Sequence, residues 1–262
     1  MSTKLKIAAA VAAAVLLSAC SSPKHEPMPL VKFTPSMEVT EVWSKGLSSA
    51  EGFLVPAVYD DMVFAAGGKT LTRLNARTGE TEWSVSFNSP ITGGVGSDGY
   101  VTAVGLWDGN LEVVDAEGKV SWEKKLTTEL ASPPVVSHGL VIARTMDTRV
   151  SAFEASSGEL QWTYQRSQPA LTVRLPTRML AHDNFLLVGQ PNGHIVILDI
   201  ASGKPMFEFQ VAQAKGVTEV ERLVDVVGAP AFSDNLVCAA AFQGAVTCVD
   251  STNGQTRWTQ KD

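Results

Sequence analysis

Asp250-Ser-Thr-Asn-Gly254-Gln-Thr-Arg-Trp258 is one copy of a phrase that recurs along the chain. It reads as an acidic or amide residue, three residues, Gly, three residues, Trp. Asn75 to Gly79 and Trp83 is another copy, and so is Glu154 to Gly158 and Trp162. Asp199 to Gly203 ends on Phe207 instead, and Asp115 to Gly118 is one residue shorter before reaching Trp122. The Gly-to-aromatic spacing is four in all five copies, and successive aromatics are 39, 40, 45 and 51 residues apart. A period in this range marks a repeat architecture.

Each part of the phrase has a physical task. Alternating apolar residues just before it (Leu71; Val113; Ile195 and Ile197) read as a strand. Asp or Asn followed by Gly is a turn, because the short polar side chain bonds backbone two residues on and Gly accepts a positive φ. The aromatic then opens the next strand. Recurring once per repeat, it is expected to dock between neighbouring sheets, with its ring buried and its N–H on a backbone acceptor. Upstream, the runs Pro56 to Leu74, Gly94 to Val114, Pro134 to Phe153, Ala181 to Leu198 and Pro230 to Val249 each read as strand, turn, strand, turn, strand. With the aromatic strand this makes four short antiparallel strands per repeat, the composition of a propeller blade. The fold class is therefore all-β, a β-propeller with five blade units present.

Ahead of the repeats the chain changes character. Lys4 and Lys6 precede an apolar run, Ile7 to Leu17, that is too short to span a bilayer and reads as a secretory signal peptide. Leu17-Ser-Ala-Cys20 closely resembles a bacterial lipobox, which implies cleavage before Cys20 and its lipidation. Ser21 and Ser22, with no Asp after the cysteine, resemble the signal for transfer to the outer membrane. The boundaries expected are a leader at 1–19, a lipidated cysteine and Pro-rich tether at 20–37, and one propeller domain at 38–262. Val39-Thr-Glu-Val-Trp43-Ser-Lys looks like a last blade strand with no blade before it. Such a strand normally closes a ring against three strands near the C-terminus. Here Trp258 already completes the last blade, so the expectation is a partial propeller.

Composition fits an extracytoplasmic β protein. The chain carries 21 basic and 27 acidic side chains, and losing Lys4 and Lys6 with the leader gives 19 − 27 = −8. No long basic block is present, which argues against nucleic acid as a partner. His25, His138, His182 and His194 show no metal-ligand spacing, and no Gly-x-Ser-x-Gly elbow or EF-hand loop occurs. No catalytic, metal or cofactor site is expected. Cys238 and Cys248 flank Gln243-Gly244 on adjacent strands. A two-residue turn would offset them by one and send their side chains to opposite faces, which favours two buried thiols over a bridge.

Lipobox, Pro-rich tether, orphan Trp strand and Gly-x-x-x-Trp blades together resemble the BamB family, the propeller lipoproteins of the machinery that inserts β-barrel proteins into the outer membrane. The likeness runs from Cys20 to Asp262. It implies eight blades, about three more than the five read here. It also implies a non-catalytic, lipid-anchored scaffold on the periplasmic side of the outer membrane, in a multi-subunit complex with a BamA-like subunit. Matching loops of the family contact that subunit through an apolar-x-apolar-Arg segment and an acidic segment. Leu171, Val173, Arg174 and Asp225 match them, while Val227 stands where the family often has a second Asp and Leu175-Pro176 replaces a Gly-containing turn. The residues support these loops independently. The two long intervals owe their excess to 166–177 and 212–227, outside the regular strands, and loops on a rigid scaffold carry function. Blade motifs are shared with quinoprotein dehydrogenases, so a fragment of such an enzyme is the alternative. Those enzymes need a Ca²⁺ site and usually vicinal cysteines, neither of which is read here.

Overall fold

The computed structural model describes residues 31–49, 54–167 and 169–261. The leader, Cys20 and most of the tether lie outside the described residues. The chain from Val42 onward forms one compact unit, separate from the residues before it.

That unit holds five four-stranded antiparallel sheets, each built from consecutive strands in simple order. The first sheet contains β1 (Ala57–Tyr59), β2 (Met62–Gly67), β3 (Thr70–Asn75) and β4 (Thr81–Ser86). The second contains β5 (Ile91–Ser97), β6 (Thr102–Leu106), β7 (Asn110–Val114) and β8 (Val120–Lys125). The third contains β9 (Val135–Ser137), β10 (Leu140–Arg144), β11 (Val150–Glu154) and β12 (Leu160–Tyr164). The fourth contains β13 (Leu180–His182), β14 (Phe185–Gln190), β15 (His194–Asp199) and β16 (Pro205–Gln210). The fifth contains β17 (Val226–Ser233), β18 (Leu236–Ala241), β19 (Ala245–Asp250) and β20 (Thr256–Lys261). These are the blades expected from the repeat.

The core lies between the sheets. One buried cluster joins the first sheet to the second through Phe64, Leu71, Ile91 and Val104. Others join the second to the third (Leu111, Val113, Val141, Phe153), the third to the fourth (Ile142, Trp162, Leu186, Val196) and the fourth to the fifth (Leu187, Ile195, Val237, Val249). A blade with a neighbour on each side is covered on both faces, so its second strand is mostly buried. All five residues of β6 and of β10 are buried. The fourth strand is the outer one and alternates between exposed and half-buried positions, as β4 and β8 do.

The recurring phrase sets the contact between blades. Each aromatic packs on the turn glycine of the next repeat, those of the first four sheets from their own fourth strands and Trp43 from the segment before the first sheet. Trp43 meets Gly79, Trp83 meets Gly118, Trp122 meets Gly158, Trp162 meets Gly203 and Phe207 meets Gly254. Each tryptophan also donates its indole N–H to a carbonyl of that turn, at 2.8–2.9 Å: Trp43 to Ala76, Trp83 to Ala116, Trp122 to Ala155 and Trp162 to Ile200. Phe207 has no N–H to donate. Trp162 is buried, Trp43, Trp83 and Trp122 are half-buried, and Phe207 and Trp258 are exposed. The ladder between third and fourth strands slips at the same place in every sheet, next to the aromatic. A bulge bends the strand and re-aims the side chain beside it.

Two expectations are corrected. Residues 39–45 form no strand. Val39 and Val42 are exposed, and the segment joins no ladder among the described residues. Alternation without a hydrogen-bonding neighbour does not make a strand, although the Trp43 ring docks as its counterparts do. Cys238 and Cys248 are joined in a disulfide rather than left as thiols. The β18–β19 loop is three residues, Phe242 to Gly244, not two. Cys238 and Cys248 therefore sit directly opposite each other, on one face with Cα atoms 4.1 Å apart.

Candidate docking rim and central cavity

The segment from Leu171 to Pro176 connects the third sheet to the fourth without regular structure. Its far end is pinned to the fifth sheet. Thr177 bridges Gly228 in parallel, Gly228 N–H donates to Pro176 O at 2.8 Å, and Arg178 N–H donates to Gly228 O at 3.0 Å. Its middle is pinned by a side chain from 52 residues away. Asp225 Oδ2 accepts the Val173 backbone N–H at 2.6 Å. The second oxygen, Oδ1, accepts the Asn192 backbone N–H at 3.3 Å, from the short 3-10 turn between β14 and β15. Asp225 itself is only 6% exposed. The two long loops are thus brought together at their bases.

The four expected contact residues separate by exposure. Leu171 and Arg174 face solvent, Val173 is half-buried, and Asp225 is turned inward onto backbone. Leu175, which sequence reading passes over as a departure, is 42% exposed beside Arg174. Arg174 forms no ion pair among the described residues.

The second loop builds its own brace. Thr218 and Glu221 form a reciprocal cap: Glu221 Oε2 accepts the Val217 and Thr218 N–H groups at 2.9 and 3.0 Å, and Thr218 Oγ1 accepts the Glu221 N–H at 3.3 Å. These bonds to the ionised carboxylate hold Glu221 below its usual range. The turn leaves Val217 and Val220 exposed, while Val224 is buried against Ala212 and Ala245.

Behind the first loop lies a cavity of about 490 Å³. Its walls come from the inner edges of several sheets and include Thr92, Ser132, Arg144, Thr177 and Asp225. Arg144 ends the apolar run Leu140 to Ala143 and is 6% exposed. Burial pushes its guanidinium down to about 10, opposed by the Asp225 charge. Sequence reading missed Arg144. The available signal was a cation closing an otherwise apolar strand, where a buried charge needs a reason.

Comparison with known proteins decides the family. The model described as "Outer membrane protein assembly factor BamB" matches residues 67–262. The chain belongs to the BamB family. A BamB of Burkholderia pseudomallei (strain K96243) is 38% identical over 256 residues, covering 95% of this chain and 67% of the relative. A BamB of Bordetella pertussis is 34% identical over 250 residues, covering 92% and 65%. The crystal structure of BamB from Moraxella catarrhalis superposes with a TM-score of 0.73 at 28% identity, over 79% of this chain and 64% of that one. The chain thus spans about two thirds of the length of these BamB relatives. Quinohemoprotein alcohol dehydrogenase from Comamonas testosteroni superposes with a TM-score of 0.62 at 18% identity, a likeness of fold alone. Among the described residues no cluster of His, Cys, Asp or Glu could hold a metal ion.

Proposed function

We propose that this chain is a non-catalytic scaffold of the outer-membrane protein assembly machinery. It docks on a BamA-like subunit through the Leu171–Pro176 loop and aids insertion of β-barrel proteins. Cys20, lipidated, tethers it to the outer membrane facing the periplasm.

The observation that carries the docking surface is the bond from Asp225 to the Val173 backbone. It fixes an irregular loop from the inside while Leu171, Arg174 and Leu175 stay exposed on the outside. A loop already ordered loses little entropy on binding. Apolar side chains beside an arginine free to fork onto a carboxylate make a hot-spot composition. In this reading Leu171 and Arg174 touch the partner, and Asp225 acts by holding Val173 in place.

The test is co-purification with the periplasmic region of a BamA-like subunit. Leu171→Ala and Arg174→Ala are expected to weaken capture by about thirtyfold each, the equivalent of ~2 kcal/mol, with folding intact. Capture at wild-type strength by both folded variants would exclude this loop as the surface.

A further inference from the structure

The cavity behind the docking loop falls in the size range of small-molecule sites. Among the described residues three arginines line it, Arg144, Arg174 and Arg178, against one carboxylate, Asp225. The described lining therefore carries 3 − 1 = +2 within a chain of net charge −6. The single carboxylate is engaged elsewhere, with one oxygen on Val173 N–H and the other on Asn192 N–H.

Several donors around the cavity are unpaired. Arg144 Nε and Nη1, Ser132 Oγ, Thr177 Oγ1 and Thr92 Oγ1 are all shielded, and none has a hydrogen-bond partner among the described residues. Arg144, Ser132 and Thr177 are each more than nine-tenths buried. Buried polar atoms are nearly always paired, and a guanidinium offers donors alone. Four unpaired groups around one electropositive hollow call for a ligand made of acceptors.

We propose that this cavity binds a small multivalent oxyanion, a di- or tricarboxylate or a phosphorylated compound, with Arg144 as its charged anchor. The Ser132 and Thr177 hydroxyls donate to the same ligand, and Arg174 and Arg178 supply further positive charge at the wall. Arg144 stays protonated at neutral pH, since burial lowers it only to about 10. The site does not rest on the docking reading, because its occupancy can be measured without any partner protein.

The experiment is calorimetric titration of the purified protein at low ionic strength with citrate in one arm and pyrophosphate in the other. The arms separate carboxylate from phosphate preference. Saturable binding is expected in at least one. Arg144→Gln should weaken it about tenfold or more, since it removes the charge-assisted bonds of the buried guanidinium. Ser132→Ala should weaken it by a smaller factor and carries the test if Arg144→Gln does not fold. Arg77→Ala, a surface arginine paired with Asp61, should bind as wild type. No saturable heat from either anion up to ~10 mM would leave the cavity to solvent and overturn the proposal. Undiminished binding by both Arg144→Gln and Ser132→Ala would overturn it equally.

Discussion

The indole of Trp122 rests against the bare Cα of Gly158: a Cβ there would fall 2.7 Å from the ring. The same residue has φ of 71°, where an L side chain is strained. Gly158 is thus required twice, once by its own backbone and once by the neighbouring blade.

Gly158→Ala should accordingly cost well over ~1 kcal/mol, the usual scale for forcing alanine into a positive φ, because the ring must also move. Trp162→Ala should cost ~3–5 kcal/mol, and Trp162→Phe about 1 kcal/mol from the lost bond to Ile200. Chemical denaturation of the three variants checks the order. A Gly158→Ala midpoint equal to wild type would show that the ring contact is absent.

Asp225→Ala should free the Leu171–Pro176 loop. The Val173 N–H would be left without its acceptor, and an unmet buried donor costs about 1–3 kcal/mol. Hydrogen exchange at Val173 is expected to accelerate, and capture of the assembly partner to fall even though Asp225 faces away from solvent. Unchanged exchange at Val173 would contradict this arrangement.

Glu112 faces Glu123 across the β7–β8 ladder. Burial, and then the charges of Glu123 and Asp108, raise its carboxyl from the ordinary 4.5 to about 7. An acid whose folded value is raised opposes folding once it ionises. The wild type should therefore lose stability as pH climbs from about 4.5 to 7 and level off above. Glu112→Gln lacks that loss. The gap between the two denaturation midpoints should widen in favour of the variant across this window, and a constant gap would refute the assignment.

Reduction of the Cys238–Cys248 bond releases a short loop of ten residues' separation. The expected loss is about 2–3 kcal/mol, read as a lower midpoint in reductant. The double variant Cys238→Ala/Cys248→Ala should show the same loss and no further response to reductant.

The blades were legible because each is specified locally. A turn, a glycine and an aromatic four residues later state the same structure five times over, four of the turns opening on Asp or Asn and one on Glu154. Asn75 and Asp115 accept the N–H groups of their own turns, as the pattern implies. What could not be read depended on distant partners or on one residue of register. Asp225 reads as a partner-contacting acid because nothing near it in sequence reveals that its carboxylate accepts the backbone N–H of Val173, 52 residues away. The disulfide hung on whether the β18–β19 loop held two residues or three. Arg144 was hidden because the cavity that gives it meaning is assembled from several sheets.

The indole bonds also carry an order of assembly. Trp43, Trp83 and Trp122 each reach a carbonyl 33 residues further on, and Trp162 one 38 residues further on. Every lock is closed by the segment that follows, never by one far upstream. A chain that emerges N-terminus first therefore latches each blade as soon as the next turn appears. Long-range search is replaced by a succession of short closures, each with a modest entropic cost.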